Sequence, residues 1–269
     1  MPKVVALYRF PVKGFTAENL SELTVQPDGR IAGDRVLTFR FGDATEPEHK
    51  NGREYWSKSK GLSLQDFPTL ARLSLSYDEQ AKRMRITEGN ALLVDAGLDA
   101  QGRDDLTAAI TDFVLASPEA RRLTKPGRLP LALVGDGETS RFQDSSRGYI
   151  SVHSEASVAE IAACVEPDVD DRRFRSNVVI AGVDPRTELS WDGEVRIGDV
   201  TFKTDKNIVR CLATHCNPDT GVRDAKLLTA FTQQLGMAEP TLGRFLLPVG
   251  EPGVTTTGGV IRVGDDVSF

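Results

Sequence analysis

Alternation with a period of two constrains this chain most. Leu73, Leu75 and Tyr77 alternate with Ser74, Ser76 and Asp78. Successive strand side chains point to opposite faces, so this run buries its apolar residues together only as a β-strand. Met84 and Ile86 repeat the pattern, and Ala91-Leu92-Leu93-Val94 follows the turn signal Gly89-Asn90. Val4 to Leu7 and Val36 to Phe41 are two further β-rich runs. The first hundred residues therefore read as a β meander or small barrel.

Helices are few. Leu106, Ile110, Phe113 and Val114 put an apolar stripe on a helix over about 105–115. Ser157-Val158-Ala159-Glu160 has capping-box spacing and predicts a second helix starting there. Leu227, Leu228, Phe231 and Leu235 predict a third, from Asp224 to Leu235, with Gly236 as its C-cap. Further strands are expected at Leu131–Val134, Val178–Ile180, Val195–Ile197, Thr201–Lys203 and Val260–Val263. Gly198-Asp199 and Gly264-Asp265 read as tight hairpin turns. The polar stretch 42–52 reads as a surface loop. A composition shift from Ser117-Pro118 to Lys125-Pro126-Gly127 divides the chain into 1–116 and 117–269. The fold class is mainly β with scattered helices (α+β).

Composition removes several classes. A net charge of −6 argues against a general nucleic-acid coat. Three cysteines, Cys164, Cys211 and Cys216, are too few for a disulfide framework and favour a reducing compartment, so a cytoplasmic location is expected. No apolar run approaches the roughly 18 residues that span a bilayer, and no signal peptide is read, so no membrane association is expected.

Cys211 lies in Arg210-Cys211-Leu212-Ala213-Thr214-His215-Cys216. An adjacent arginine favours thiolate, the nucleophilic and metal-ligating form. From this local context the commoner reading is a small buried hydrophobe, which is what most lone cysteines are. Cys211, His215 and Cys216 offer three zinc ligands without a second C-x-x-C. Arg172, Arg173 and Arg175 form a basic cluster before a strand. Guanidinium forks match phosphate oxygens, but salt bridges to Asp168, Asp170 and Asp171 would also account for them. Lys13 beside Gly14, and Arg35 after Gly33-Asp34, each stand at a strand end. Asn217-Pro218-Asp219-Thr220-Gly221 is a turn by composition, and Asp219 hangs near Cys211. The start of the Ser154-Glu155-Ala156-Ser157 helix could face an anion.

Six of these segments occur in one order: Tyr8-Arg9-Phe10-Pro11-Val12-Lys13-Gly14, Gly33-Asp34-Arg35, Ser154-Glu155-Ala156-Ser157, Phe174-Arg175-Ser176-Asn177, Arg210-Cys211 with 217–221, and Ile261-Arg262-Val263-Gly264-Asp265. Together they resemble MOSC-domain proteins with the N-terminal MOSC β-barrel extension, of the type of the mitochondrial amidoxime-reducing component and its bacterial relatives. The resemblance implies a β-barrel MOSC domain over 117–269 and the barrel extension over 1–116, whose first strand and Lys13 loop join the cofactor pocket.

It also implies the molybdenum cofactor, Mo-molybdopterin, with Cys211 as the protein's metal ligand and a catalytic residue. Asp219 is the second catalytic candidate. Lys13, Gly14, Arg35, Ser146, Arg147, Arg175, Asn177 and Arg210 are the cofactor-binding candidates. Gly14 stands where relatives often have serine, and Ser176 where they have proline. The implied activity is reduction of small N-hydroxylated or N-oxide compounds by oxygen-atom removal. No flavin, haem or iron–sulfur motif is visible, so electrons are expected from a separate iron–sulfur, flavin or haem protein. The alternative is a cofactor carrier or sulfur-transfer module that uses Cys211 without turnover.

Overall fold

The computed structural model describes residues 1–50, 53–144, 150–248 and 258–269. Its strands are β1 (Lys3–Arg9), β2 (Glu18–Leu20), β3 (Glu22–Val25), β4 (Thr38–Arg40), β5 (Glu48–Lys50), β6 (Arg53–Tyr55), β7 (Leu73–Asp78), β8 (Arg83–Glu88) and β9 (Ala91–Gly97) in the first part. After helices α1 (Ala100–Leu115) and α2 (Ala120–Leu123) come β10 (Ala132–Val134), β11 (Ile150–Ser154), helix α3 (Glu155–Ala162), β12 (Val178–Ala181), β13 (Glu194–Ile197) and β14 (Val200–Val209). A short helix α4 (Leu227–Thr229), then β15 (Thr241–Pro248), β16 (Gly259–Arg262) and β17 (Val267–Ser268), complete the chain.

The period-two run forms the three-stranded meander β7-β8-β9, with Leu73, Leu75, Tyr77, Met84 and Ile86 on its buried face. Helix α1 covers that face with Leu106, Ile110 and Val114, each contributing roughly 1.5–3 kcal/mol of burial. It begins earlier than the apolar stripe predicts, because Asp99 accepts from the Gly102 amide and caps it.

The other body is an eight-stranded sheet in the order β17-β13-β14-β15-β11-β12-β1-β2, curled into a half-barrel. β1 pairs with β12, so the first strand of the chain is built into the sheet of the second half. The hydrophobic cores likewise cross a cut at 116/117. The largest core draws on Val12 through Leu133, and a second combines Val4, Leu7, Leu23, Val25 and Ile31 with residues of 150–267. β10 completes the crossing by pairing with β4.

Four local expectations need correction. The cap of α3 is Ser154, which accepts from the Ser157 amide, one turn before the expected Ser157. Gly264-Asp265 is not a hairpin: β16 pairs with β3 and β17 with β13, so this turn switches sheets. Gly198-Asp199 does close the β13–β14 hairpin. The third helix is shorter than expected, spanning α4 and a following π-turn at Ala230–Gln234. The loop 42–52 contains β5, which pairs with β6.

Candidate functional site

A cleft of about 410 Å³ opens between the two bodies. The N-terminal half supplies Lys13, Gly14, Arg35, Lys58, Ser63 and Leu64; the C-terminal half supplies Ser151, Arg173, Phe174, Arg175, Ile208, Arg210, Cys211 and Phe245. Phe142, Gln143 and Asp144 lie along the chain between them. Five sequence candidates from four separate segments, with Gly14, thus meet in one place: Lys13, Arg35, Arg175, Arg210 and Cys211.

Backbone pairing sets the N-terminal wall. The Lys13 amide donates to Leu37 O at 2.8 Å and the Arg35 amide to Phe10 O at 2.6 Å, which ties the two loops side by side. Lys13 is buried, with Nζ at 3.2 Å from Trp56 O and 2.9 Å from Asp144 Oδ1. Burial pulls its pKa down. Gly14 has φ +83°, and a Cβ there would lie 2.6 Å from Leu62 O. A side chain at this position would be strained against that carbonyl, so Gly14 meets the cleft through its backbone alone.

The C-terminal wall hangs on two chain ends. The 3-10 turn Asp171–Phe174 ends with Arg175 in the left-handed region at φ 54°. The Arg175 guanidinium donates to Phe15 O and stacks 4.4 Å over Phe10. Arg35 stacks on the same ring at 4.6 Å, donates to Asp34, and reaches Arg175 O at 3.2 Å. At the end of β14, Arg210 donates to Leu242 O at 2.7 Å and Phe174 O at 2.6 Å. Burial lowers Arg175 to about 9, with Arg35 adding to the effect, and burial lowers Arg210 to about 9. The Cys211 sulfur acts on both guanidiniums in the opposite sense. Cys211 itself is partly exposed at the cleft.

Other candidates lie elsewhere. Asn177 is fully buried below the cleft and its amide is saturated: Nδ2 donates to Tyr8 O and Asp34 Oδ1, both at 3.1 Å, and Oδ1 accepts from Ser151 N and Oγ. It rivets β1, β11 and the Asp34 loop together and has no donor left for a ligand. Asp219 is largely exposed and bound by the Arg172 fork at 2.9 and 3.0 Å; it does not line the cleft. Ser146 and Arg147 lie outside the described residues. The start of α3 already holds an anion: buried Glu188 accepts from Ser154 Oγ at 2.9 Å and Ser157 Oγ at 3.0 Å. Cys216 is buried with its thiol directed to Leu64 O, and His215 Nε2 accepts from the Leu228 amide.

Two cleft residues gave no sequence signal. Ser63 Oγ and Gln143 Oε1 are buried there without a hydrogen-bond partner among the described residues. Serine and glutamine are common, and only burial makes these atoms distinctive.

A ligand for this cleft must be anionic at one end, must satisfy polar acceptors and donors along its length, and must have affinity for sulfur. Lys13, Arg35 and Arg175 meet the first need, Ser63 and Gln143 the second, Cys211 the third. These are the demands of a phosphorylated pterin dithiolene carrying a soft-ligated metal, so the residues fit the molybdenum cofactor.

The family model for the MOSC domain matches residues 139–268, and that for the MOSC N-terminal beta barrel domain matches 1–122. The chain belongs to the MOSC-domain proteins that carry this N-terminal barrel. It is 33% identical over 182 residues to the mitochondrial amidoxime-reducing component 1 of Homo sapiens, covering 64% of this chain and 53% of that protein. With the human mitochondrial amidoxime reducing component 2 it shares 28% over 247 residues, covering 83% and 69%. With a molybdenum cofactor sulfurase of Caenorhabditis briggsae it shares 26% over 259 residues, covering 91% of this chain and 33% of that protein. The chain spans about half the length of several curated relatives it matches. Among the described residues no helix is long and apolar enough to cross a membrane.

Proposed function

We propose that this protein is a molybdenum-dependent oxidoreductase that reduces N-hydroxylated or N-oxide compounds. The observation that carries the reading is the meeting of Cys211 with Arg175 and Arg210, two cations without an ion-pair partner among the described residues, in one open cleft. Bound there, the cofactor would supply two-electron chemistry that takes an oxygen atom from an N–O group. Lys13, Arg35 and Arg175 would hold its phosphate, with the Gly14 amide beside them. Ser63 and Gln143 would meet the pterin's polar edge. Cys211 would complete the metal's sulfur ligation, and Arg210 would fix the backbone that presents it. Val209 and Leu212 flank this pair and are about half exposed, 52% and 42%, which leaves an apolar lip for substrate. Electrons would come from a separate iron–sulfur, flavin or haem protein. The sparse cysteines support a reducing, cytoplasmic setting, although the amidoxime-reducing relatives are named mitochondrial.

The test is reduction of a hydroxylamine or amidoxime with a chemical electron donor, using protein from a cofactor-competent host. Turnover that disappears in Cys211→Ala supports the proposal. The alignment with a cofactor sulfurase over 91% of this chain favours one second reading, a carrier or sulfur-transfer module. Cofactor or persulfide on Cys211 without any turnover would select it.

A further inference from the structure

The site described above makes no use of His153. It lies on β11, is fully buried, and has no hydrogen-bond partner for either ring nitrogen among the described residues. Its nearest ring is Phe174, edge-on at 5.8 Å between centroids. Buried imidazoles usually bond protein or ordered water, so two orphaned nitrogens call for an occupant. A third orphan lies close to this residue. Among the described residues Arg210 Nη2 is buried without a hydrogen-bond partner, and Gly243 fixes its nearness: a Cβ at Gly243 would stand 2.9 Å from Arg210 Nη2 and 3.2 Å from His153 Cβ. Toward solvent, Asp171 Oδ2 stands 3.9 Å from His153 Nε2, with 27% of its side chain exposed. Toward the inside, Arg210 lines the cleft.

We infer that His153 and the free Nη2 of Arg210 hold internal water, and that Asp171, His153 and this water form a proton path from the surface to the cleft. The inference rests on the reductase reading. Reducing an N-hydroxyl group to N–H consumes two electrons and two protons: the N–O bond breaks, one N–H bond and one O–H bond form, and water leaves. The electrons come from the external redox protein and the protons from solvent. The cleft's own wall is lined by Lys13, Arg35 and Arg175, whose positive charges are taken up in holding the cofactor's phosphate in the reductase reading. A neutral imidazole can take a proton on one nitrogen and release it from the other. Burial and the Arg210 charge push His153 down to about 3, so it rests neutral. Burial and the Asp170 carboxylate push Asp171 up, which suits a group that picks up protons at the surface. The charged groups facing His153 are Arg210 and Asp171, and Asp171 is in turn met by Tyr8, Asp170 and Arg172. Arg210 serves only to hold the water.

A crystal structure that resolves waters tests the path without turnover. The expected result is an ordered water within hydrogen-bond reach of a His153 nitrogen and of Arg210 Nη2; a dry space overturns the proposal. His153→Phe then tests the relay in protein whose molybdenum content matches wild type. With a chemical electron donor, kcat should fall roughly 100-fold in mild alkali and much less in mild acid, with KM unchanged. A loss equal at every pH, or none, overturns the proposal. His153→Gln can hold a water but cannot pass a proton through a ring, so it should behave like the Phe variant; full rescue shows a merely structural role and overturns the relay. It also takes the Phe variant's place should that protein not fold. The two readings fail separately. An inactive wild-type protein that holds molybdenum and the ordered water ends the reductase reading, and the path falls with it; a dry site in an active enzyme ends the path alone.

Discussion

Arg172 and Arg175 stand three residues apart in one short turn, and the structure treats their charges in opposite ways. Arg172 closes its fork on Asp170 and Asp219, and those carboxylates push its pKa further up. Arg173 likewise donates to Asp224 at 2.7 Å. Arg175 has a backbone carbonyl and an aromatic face, and across the cleft Arg210 has two carbonyls and the face of Phe174; burial pulls both down to about 9. Arg172, which faces outward, and the buried Arg173 are neutralised by the protein's own acids. The inward ones are left cationic in a cleft whose only described lining carboxylate, Asp144, is engaged by Lys13. A chain with net charge −6 has acids to spare, so the surplus positive charge here reflects where the fold places them. Withholding a counter-charge destabilises the empty protein and is offset when an anion binds.

The comparison can be broken at several points. The largest expected effect is at the sulfur between the two inward arginines: Cys211→Ala should bring reduction of a hydroxylamine to background while the melting temperature stays at the wild-type value. Next, Arg175→Met should weaken cofactor retention by about 10–100-fold, the worth of one charge-assisted contact. The same change should leave the empty protein as stable as wild type or more so, because it removes an uncompensated cation. Molybdenum analysis and thermal melts of the apo-protein read the two effects separately, and a clear drop in apo-protein stability would count against the contrast. On the facing wall, Gly14→Ser should cost about 1–3 kcal/mol in urea unfolding, since it forces a side chain against Leu62 O at positive φ.

A smaller effect comes from acid. Burial, with the Arg210 charge adding to it, pushes His153 down to about 3, well below its unfolded value of about 6.5. The unfolded chain therefore takes up this proton first as pH falls. Stability from this group is full above about 6.5 and declines toward 3, by at most about 1.4 kcal/mol per pH unit. Urea unfolding of wild type and His153→Phe should diverge over that window; parallel curves would show that His153 is not held neutral by a buried site beside Arg210. The smallest effect belongs to the outward set. Arg172→Met removes a part-exposed pair and should cost under about 1 kcal/mol, with cofactor retention unchanged.

What could be read in advance follows from where each signal arises. The meander β7-β8-β9 was legible because one of its faces is wet, so polarity alternates along it. β11 and β15 were not: Ser151, His153 and Ser154 are all buried in mid-sheet, and β15 includes Gly243, Arg244 and Pro248. Such strands show no alternation to read. Lys13, Arg35, Arg175, Arg210 and Cys211 were legible as candidates because charged or sulfur-bearing residues at strand ends stand out. Their convergence follows from β1 joining β12 and from the loop pairings that bring Arg35 to Phe10. Asp219 looked close to Cys211 along the chain, but the Arg172 fork turns it outward. Asn177 carried the right functional group, but its amide is consumed in holding three segments together. Ser63 and Gln143 are recognisable only once burial has stripped them of partners.

The most direct test of the central claim is the molybdenum and pterin content of purified protein made in a cofactor-competent host, wild type beside Arg175→Met and Cys211→Ala. The account predicts near-stoichiometric metal and pterin in the wild type, and marked loss of both in Arg175→Met. It predicts loss of metal ligation at sulfur in Cys211→Ala. A folded wild-type protein that takes up neither molybdenum nor pterin would contradict it.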